Sequence, residues 1–137
     1  MKIKLHNEIC MPQQHGDWID LVSSDTYIYT EGMMFNINLG VSIEIPEGYE
    51  AILAPRSSTF KKYGLIQTNS VGVIDNSYSG NNDIWMMPVY ALKDGIVNKG
   101  DRICQFRIQK KQPQIGFMVV EDLENEDRGG FGSTGVR

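Results

Sequence analysis

Asp75 closes a short apolar run, Val71-Gly72-Val73-Ile74, and is followed by Tyr78 and then Gly80. A carboxylate brought to the edge of a turn beside an aromatic has the makings of a general base next to a flat ring. Gly72 lies inside the run, where a strand glycine often marks close approach of other backbone or of a ligand. Taken alone, the same residues also describe an ordinary hairpin with a solvated aspartate.

Other segments shift that balance. Pro55-Arg56-Ser57-Ser58 follows an apolar strand, and Gly100-Asp101-Arg102-Ile103-Cys104-Gln105 comes later. The chain then runs through Arg128-Gly129-Gly130-Phe131-Gly132-Ser133-Thr134-Gly135. Together with Gly64 to Gly80, in this order and spacing, these segments resemble the motifs of the trimeric dUTP pyrophosphatases (dUTPases). The resemblance covers Asp20 to Thr134 and is strongest to the enzymes of Gram-positive bacteria and their phages.

The resemblance implies a dUTP diphosphatase, hydrolysing dUTP to dUMP and pyrophosphate. Asp75 would activate a water for in-line attack at the α-phosphorus. Mg²⁺ would be held by the triphosphate and waters, with Asp20 supporting that network. Base and sugar would meet Asn69, Gly72, Ile74 and Tyr78, with Phe131 as a lid over uracil. Phosphate contacts would come from Arg56, Ser57, Ser58 and Gln105, and from Arg128, Gly132, Ser133 and Thr134 near the C-terminus. The implied assembly is a homotrimer with shared active sites.

Three places depart from the commoner family pattern. The first motif reads Gly16-Asp17-Trp18-Ile19-Asp20-Leu21, the third ends Tyr78-Ser79-Gly80-Asn81, and the fifth lacks one residue between Arg128 and the glycine pair. A deoxycytidine triphosphate deaminase of related fold would need a glutamate and further basic residues, and Gly72-Val73-Ile74-Asp75 leading to Tyr78 favours the dUTPase. A non-enzymatic regulator is disfavoured by the intact constellation, while an additional protein partner stays open.

Composition sets the outer limits. A chain of 137 residues suits one domain with its own core. The formal net charge of −4 argues against a nucleic-acid surface, though a triphosphate needs only a few local cations. Arg56, Lys61, Lys62 and Arg128 are candidates for these; Lys110-Lys111 reads as a solvated strand end. No apolar run approaches the ~20 residues of a membrane span. The N-terminus turns polar too soon for a signal peptide, so a cytoplasmic location is expected. Cys10 and Cys104 are expected reduced and apart. His6 and His15 are isolated, and no Cys/His cluster has metal-ligand spacing.

The elements that must position these groups read as strands. From Phe35 to Ile45 every odd position is apolar, the period of a half-buried antiparallel strand. Further strands are expected at Lys2–Leu5, Tyr49–Ala54, Leu65–Thr68, Gly72–Ile74, Ile84–Tyr90, Arg102–Ile108 and Gly116–Val120. One short helix is expected over Ser57–Tyr63, capped by Ser57 or Ser58. Short strands between Gly, Pro, Asn and Asp turns suit an all-β, jelly-roll-like β-barrel. Residues 1–123 would form this catalytic domain. Residues 124–137, acidic and then glycine-rich, would form a flexible arm closing on an active site. The glycine-rich segment lacks the Gly-Lys-Ser/Thr ending of a Walker loop.

Overall fold

The computed structural model describes residues 1–130. Its strands are β1 (Ile3–Leu5), β2 (Gln13–Gln14), β3 (Ile19–Val22), β4 (Tyr27–Tyr29), β5 (Met34–Asn38) and β6 (Val41–Ile43). They continue as β7 (Tyr49–Pro55), β8 (Leu65–Gln67), β9 (Gly72–Ile74), β10 (Met86–Ala91), β11 (Gly95–Val97) and β12 (Arg102–Lys110). A single turn of 3₁₀-helix spans Glu8–Cys10, and α1 spans Thr59–Tyr63. The expected all-β, jelly-roll-like architecture is observed. It is built as four antiparallel hydrogen-bonded sheets rather than one continuous ladder among the described residues.

The largest sheet has the order β2-β3-β12-β7-β9, and a second has the order β5-β10-β8. The pairs β1-β6 and β4-β11 complete the set. Alternating side chains from these sheets converge on one core, where Trp85 meets Phe106 edge-on at 5.0 Å between ring centres. Tyr29 brings a polar tip into this interior and satisfies it by donating to the carbonyl of Tyr63 at 2.7 Å. Cys10 and Cys104 are both buried and free, as expected.

The alternating run from Phe35 to Ile45 is not one strand but two. Its apolar face is buried from Ile37 through Ile45, as the period requires. Gly40, however, adopts φ +66 and breaks the pleat between β5 and β6. The left-handed glycine lets the chain leave β10 and pair next with β1, so one hydrophobic pattern serves two sheets.

The expected strand at Gly116–Val120 is absent. Residues 111–120 form no regular element, and Phe117 and Val119 are 93% and 97% exposed. A strand needs a neighbour for its N–H and C=O groups, and among the described residues no strand lies alongside.

The capping of α1 also differs from expectation. Ser58 occupies the N-cap position, but its side chain makes no cap bond. Thr59, fully buried, does the local work instead. Its hydroxyl accepts from the Arg56 amide at 2.9 Å and donates to the Ile103 carbonyl at 2.9 Å, tying the Arg56–Ser58 loop to β12. Replacing Thr59 by Val keeps the shape and leaves both backbone groups unpaired. The expected loss is about 1–3 kcal/mol of stability, read by chemical denaturation; an unchanged midpoint would show that the loop is held by other contacts.

Candidate active site

β7 and β9 bring the candidate groups together by register. Leu53 faces Gly72 across the ladder, and a Cβ on Gly72 would lie 3.2 Å from that of Leu53 and 3.5 Å from Asn69 Nδ2. A side chain at position 72 would thus be tight against Leu53, in keeping with the close approach that a glycine within the apolar run suggests. Beyond β9 the chain turns, and Asn69, Gly72, Ile74, Asp75 and Tyr78 line one cleft of about 450 Å³, with the buried Trp85 in its wall.

Asp75 is exposed at the rim of this cleft. Its Oδ1 accepts from the Ser77 amide at 2.8 Å, and its carbonyl accepts from the Tyr78 amide at 3.0 Å. These hydrogen bonds from Ser77 hold the carboxyl below the usual aspartate range, and the nearby charge of Lys111 adds to the effect. Lys111 lies exposed at the strand end, as expected from the sequence, and its Nζ donates to Asn76 Oδ1 at 3.1 Å. Tyr78 is not a core aromatic. It stands half-exposed in the cleft with its hydroxyl donating to the Ile84 carbonyl at 2.9 Å, which fixes the ring.

The turn that carries Asn69 is also specific. The Ser70 amide donates to the Gln67 carbonyl, and Ser70 takes φ 61, an uncommon conformation outside glycine. The Asn69 side chain then accepts from Gln67 Nε2 at 2.8 Å.

A second cleft, of about 310 Å³, is lined by Asp20, Arg56, Ser57 and Gln105 together with His15 and Trp18. It shares no lining residue with the first. Asp20 on β3 and Gln105 on β12 are direct cross-strand neighbours. Asp20 is 8% exposed, and its two oxygens meet Arg56 Nε at 3.4 Å and Arg102 Nη1 at 3.3 Å. Arg56 thus pairs with Asp20 rather than standing free for phosphate, and Arg102 is the second brace. The partnership spans most of the chain and left no local signal. Gln105 Nε2 donates to the Pro55 carbonyl at 3.2 Å, holding β12 against the start of the loop. At the edge of this cleft Arg107 pairs with Asp17 at 3.6 Å and lies over the Trp18 ring at 5.8 Å.

Some expected contributors are not brought into either cleft. Ser58, Lys61 and Lys62 line neither, and Lys62 instead lies over the Tyr63 ring at 5.3 Å. Asp101 closes a turn by accepting from the Asn98 amide at 3.0 Å. Arg128 is exposed. Phe131, Gly132, Ser133 and Thr134 lie outside the described residues.

Comparison with known proteins bears on the whole arrangement. The dUTPase family model matches residues 6–135. The chain belongs to the dUTPase family. It is 54% identical over 124 residues to the SPbeta prophage-derived deoxyuridine 5'-triphosphate nucleotidohydrolase YosS of Bacillus subtilis, covering 90% of this chain and 87% of that protein. The fold matches a dUTPase variant of Staphylococcus bacteriophage 80alpha solved with dUpNHpp, at a TM-score of 0.77 and 23% identity, over 98% of this chain and 95% of the other. It also matches a dUTPase variant from phage phi11 of S. aureus, for which coordination of a structural Mg(II) ion is described, at a TM-score of 0.72 and 23% identity, over 90% and 98% of the two chains.

Because Asp75 is held in its anionic form by the Ser77 turn, its folded pKa lies under the ordinary 3.8. The carboxylate therefore persists as the pH falls through that value and is lost only below it. Carboxyl NMR titration of the free protein should give a midpoint for Asp75 below 3.8, and Ser77→Ala should raise it by removing the hydroxyl contribution. A midpoint above 3.8 would mean that the turn does not stabilise the anion.

Proposed function

We propose that the protein hydrolyses dUTP to dUMP and pyrophosphate, with Asp75 as the general base. The observation that carries this is the anionic Asp75 carboxylate at the rim of a cleft shared with Asn69, Gly72 and Tyr78. The base enters against the β8–β9 turn, where backbone groups and the Asn69 amide read its edge. Tyr78, with its hydroxyl fixed, packs beneath the deoxyribose and leaves no room for a 2′-hydroxyl. Water attacks the α-phosphorus in line, its proton passes to Asp75, and the bond to the bridging oxygen breaks to release pyrophosphate. Positioning and electrostatics supply most of the rate in such a transfer.

Phosphate binding falls to Ser57 and Gln105 in the second cleft, and to Arg128, Gly132, Ser133 and Thr134 of an arm spanning 124–137 that closes over the nucleotide, with Phe131 as the lid over uracil. The donor set fits Mg²⁺ carried by the triphosphate: both Asp20 oxygens already face guanidinium groups, which suits an outer role beside metal-bound water rather than direct ligation. When bound, the ion neutralises phosphate charge. The free, buried cysteines accord with action in a reducing cytoplasm.

The site is completed by other copies of the chain in a homotrimer. The base-reading and phosphate groups line two clefts with no residue in common, and Phe117, Met118 and Val119 stand exposed on a segment with strand-like composition. Exposed apolar surface of this kind marks a protein interface.

Two experiments test this reading. Asp75→Asn keeps the shape and removes the base, so dUTP binding should persist while kcat falls at least about a hundredfold; near-normal turnover would exclude Asp75 as the base. In the second, Asp75→Asn chains are co-refolded with chains carrying Ser57→Ala and Gln105→Ala. Mixed trimers should regain activity beyond the sum of the two inactive parents, because one site can draw an intact residue from each. No recovery, with mixed trimers verified by mass, would place both clefts' groups in a site built by one chain.

A further inference from the structure

Gln67, the last residue of β8, is 7% exposed and makes a chain of contacts that ends in the base cleft. Its Nε2 donates to the Leu53 carbonyl at 3.1 Å and to Asn69 Oδ1 at 2.8 Å. Its own Oε1 is buried, with no partner among the described residues.

The direction of this chain follows from chemistry. A backbone carbonyl accepts and never donates, so Leu53 requires the NH₂ end of Gln67 to face it. The second N–H of that group then points at Asn69 and requires its oxygen. Asn69 is left with its own NH₂ end free for the cleft, consistent with Nδ2 lying 3.5 Å from a Cβ position on Gly72. One main-chain carbonyl in β7 thus sets the polarity of a side chain two steps away.

We propose that Gln67 is a positioning residue for base selection, locking Asn69 with its donor toward the ligand so that the cleft accepts a uracil-type carbonyl and refuses an exocyclic amine. Uracil carries an acceptor at ring position four, where cytosine carries an NH₂ donor. With Asn69 locked, cytosine places donor against donor. With Asn69 free to turn, its oxygen can accept the cytosine amine and the discrimination collapses. This rests on the proposal that Asn69 faces the base, and the test separates the two.

The measurement is the ratio of kcat/KM for dUTP to that for dCTP, by pyrophosphate release, in Gln67→Leu, Asn69→Ala and the double variant, with thermal midpoints recorded alongside. Gln67→Leu should lower the ratio by about tenfold, the effect of one buried donor lost or misdirected. Asn69→Ala should lower it at least as much, and adding Gln67→Leu to Asn69→Ala should change it no further, because Gln67 acts only through Asn69. A purely structural glutamine would lower both substrates together and leave the ratio alone. Gln67→Glu gives an independent check: its carboxylate accepts and does not donate, turns the Asn69 NH₂ away from the cleft, and should lower the ratio as well. If Asn69→Ala lowers the ratio and neither Gln67 variant does, the positioning role is wrong while base reading by Asn69 stands. If the two effects multiply in the double variant, Gln67 does not act through Asn69. If Asn69→Ala leaves the ratio unchanged, both proposals fall.

Discussion

The ladder between β7 and β12 is the constraint on which the rest depends. From Tyr49–Pro55 against Cys104–Lys110 it pairs every residue of β7, and β9 pairs with the other edge over Ala51 to Leu53. With both edges occupied, β7 cannot slide without sending its buried side chains to the opposite face. Everything chemical is measured from this strand. Leu53 supports Gly72 and offers its carbonyl to Gln67, while Pro55 holds Gln105 and opens the loop that carries Arg56 and Ser57.

The two clefts flanking this strand are electrostatically unlike. The first is largely apolar, with one anionic carboxylate at its rim and a few directed amides, which suits a flat base and a reacting water. In the second, a buried carboxylate is held between two guanidinium groups. Removing either arginine would leave Asp20 with less compensation for its burial, so this triad is a brace that tolerates little change. Its residual donors face a cleft suited to phosphate. Placing the proposed phosphate-binding residues apart from the proposed base-reading residues on one chain makes assembly a condition of activity in the proposed trimer.

Several elements were legible in the residues themselves. The period of two in β5 and β6, the apolar β9 with its glycine, and the Asp75 turn with Tyr78 all follow from local pattern, although the single strand expected from Phe35 to Ile45 is divided at Gly40. Strands β2, β3, β4 and β11 were not foreseen; at two to four residues they display no period of their own. The apolar alternation near Phe117 was legible as strand-like, yet a strand exists only where a neighbour completes its hydrogen bonds, and the described residues offer none there.

By itself, the sequence determined which groups are available and which of them sit close along the chain: Asp75 before Tyr78, Gly72 within an apolar strand, Ser57 after Arg56. It also determined the buried faces, because hydrophobic alternation is a local property of the backbone pleat. Tertiary structure alone decided the partners. Arg102 reaches Asp20 from 82 positions away, and Thr59 reaches Ile103 from 44. The polarity of the Asn69 amide is the sharpest case. Gln67 and Asn69 are near neighbours in the chain, but either amide can face either way until the Leu53 carbonyl arrives from another strand. That group can only accept, and its position is set by the long-range pairing of β7 rather than by any local preference.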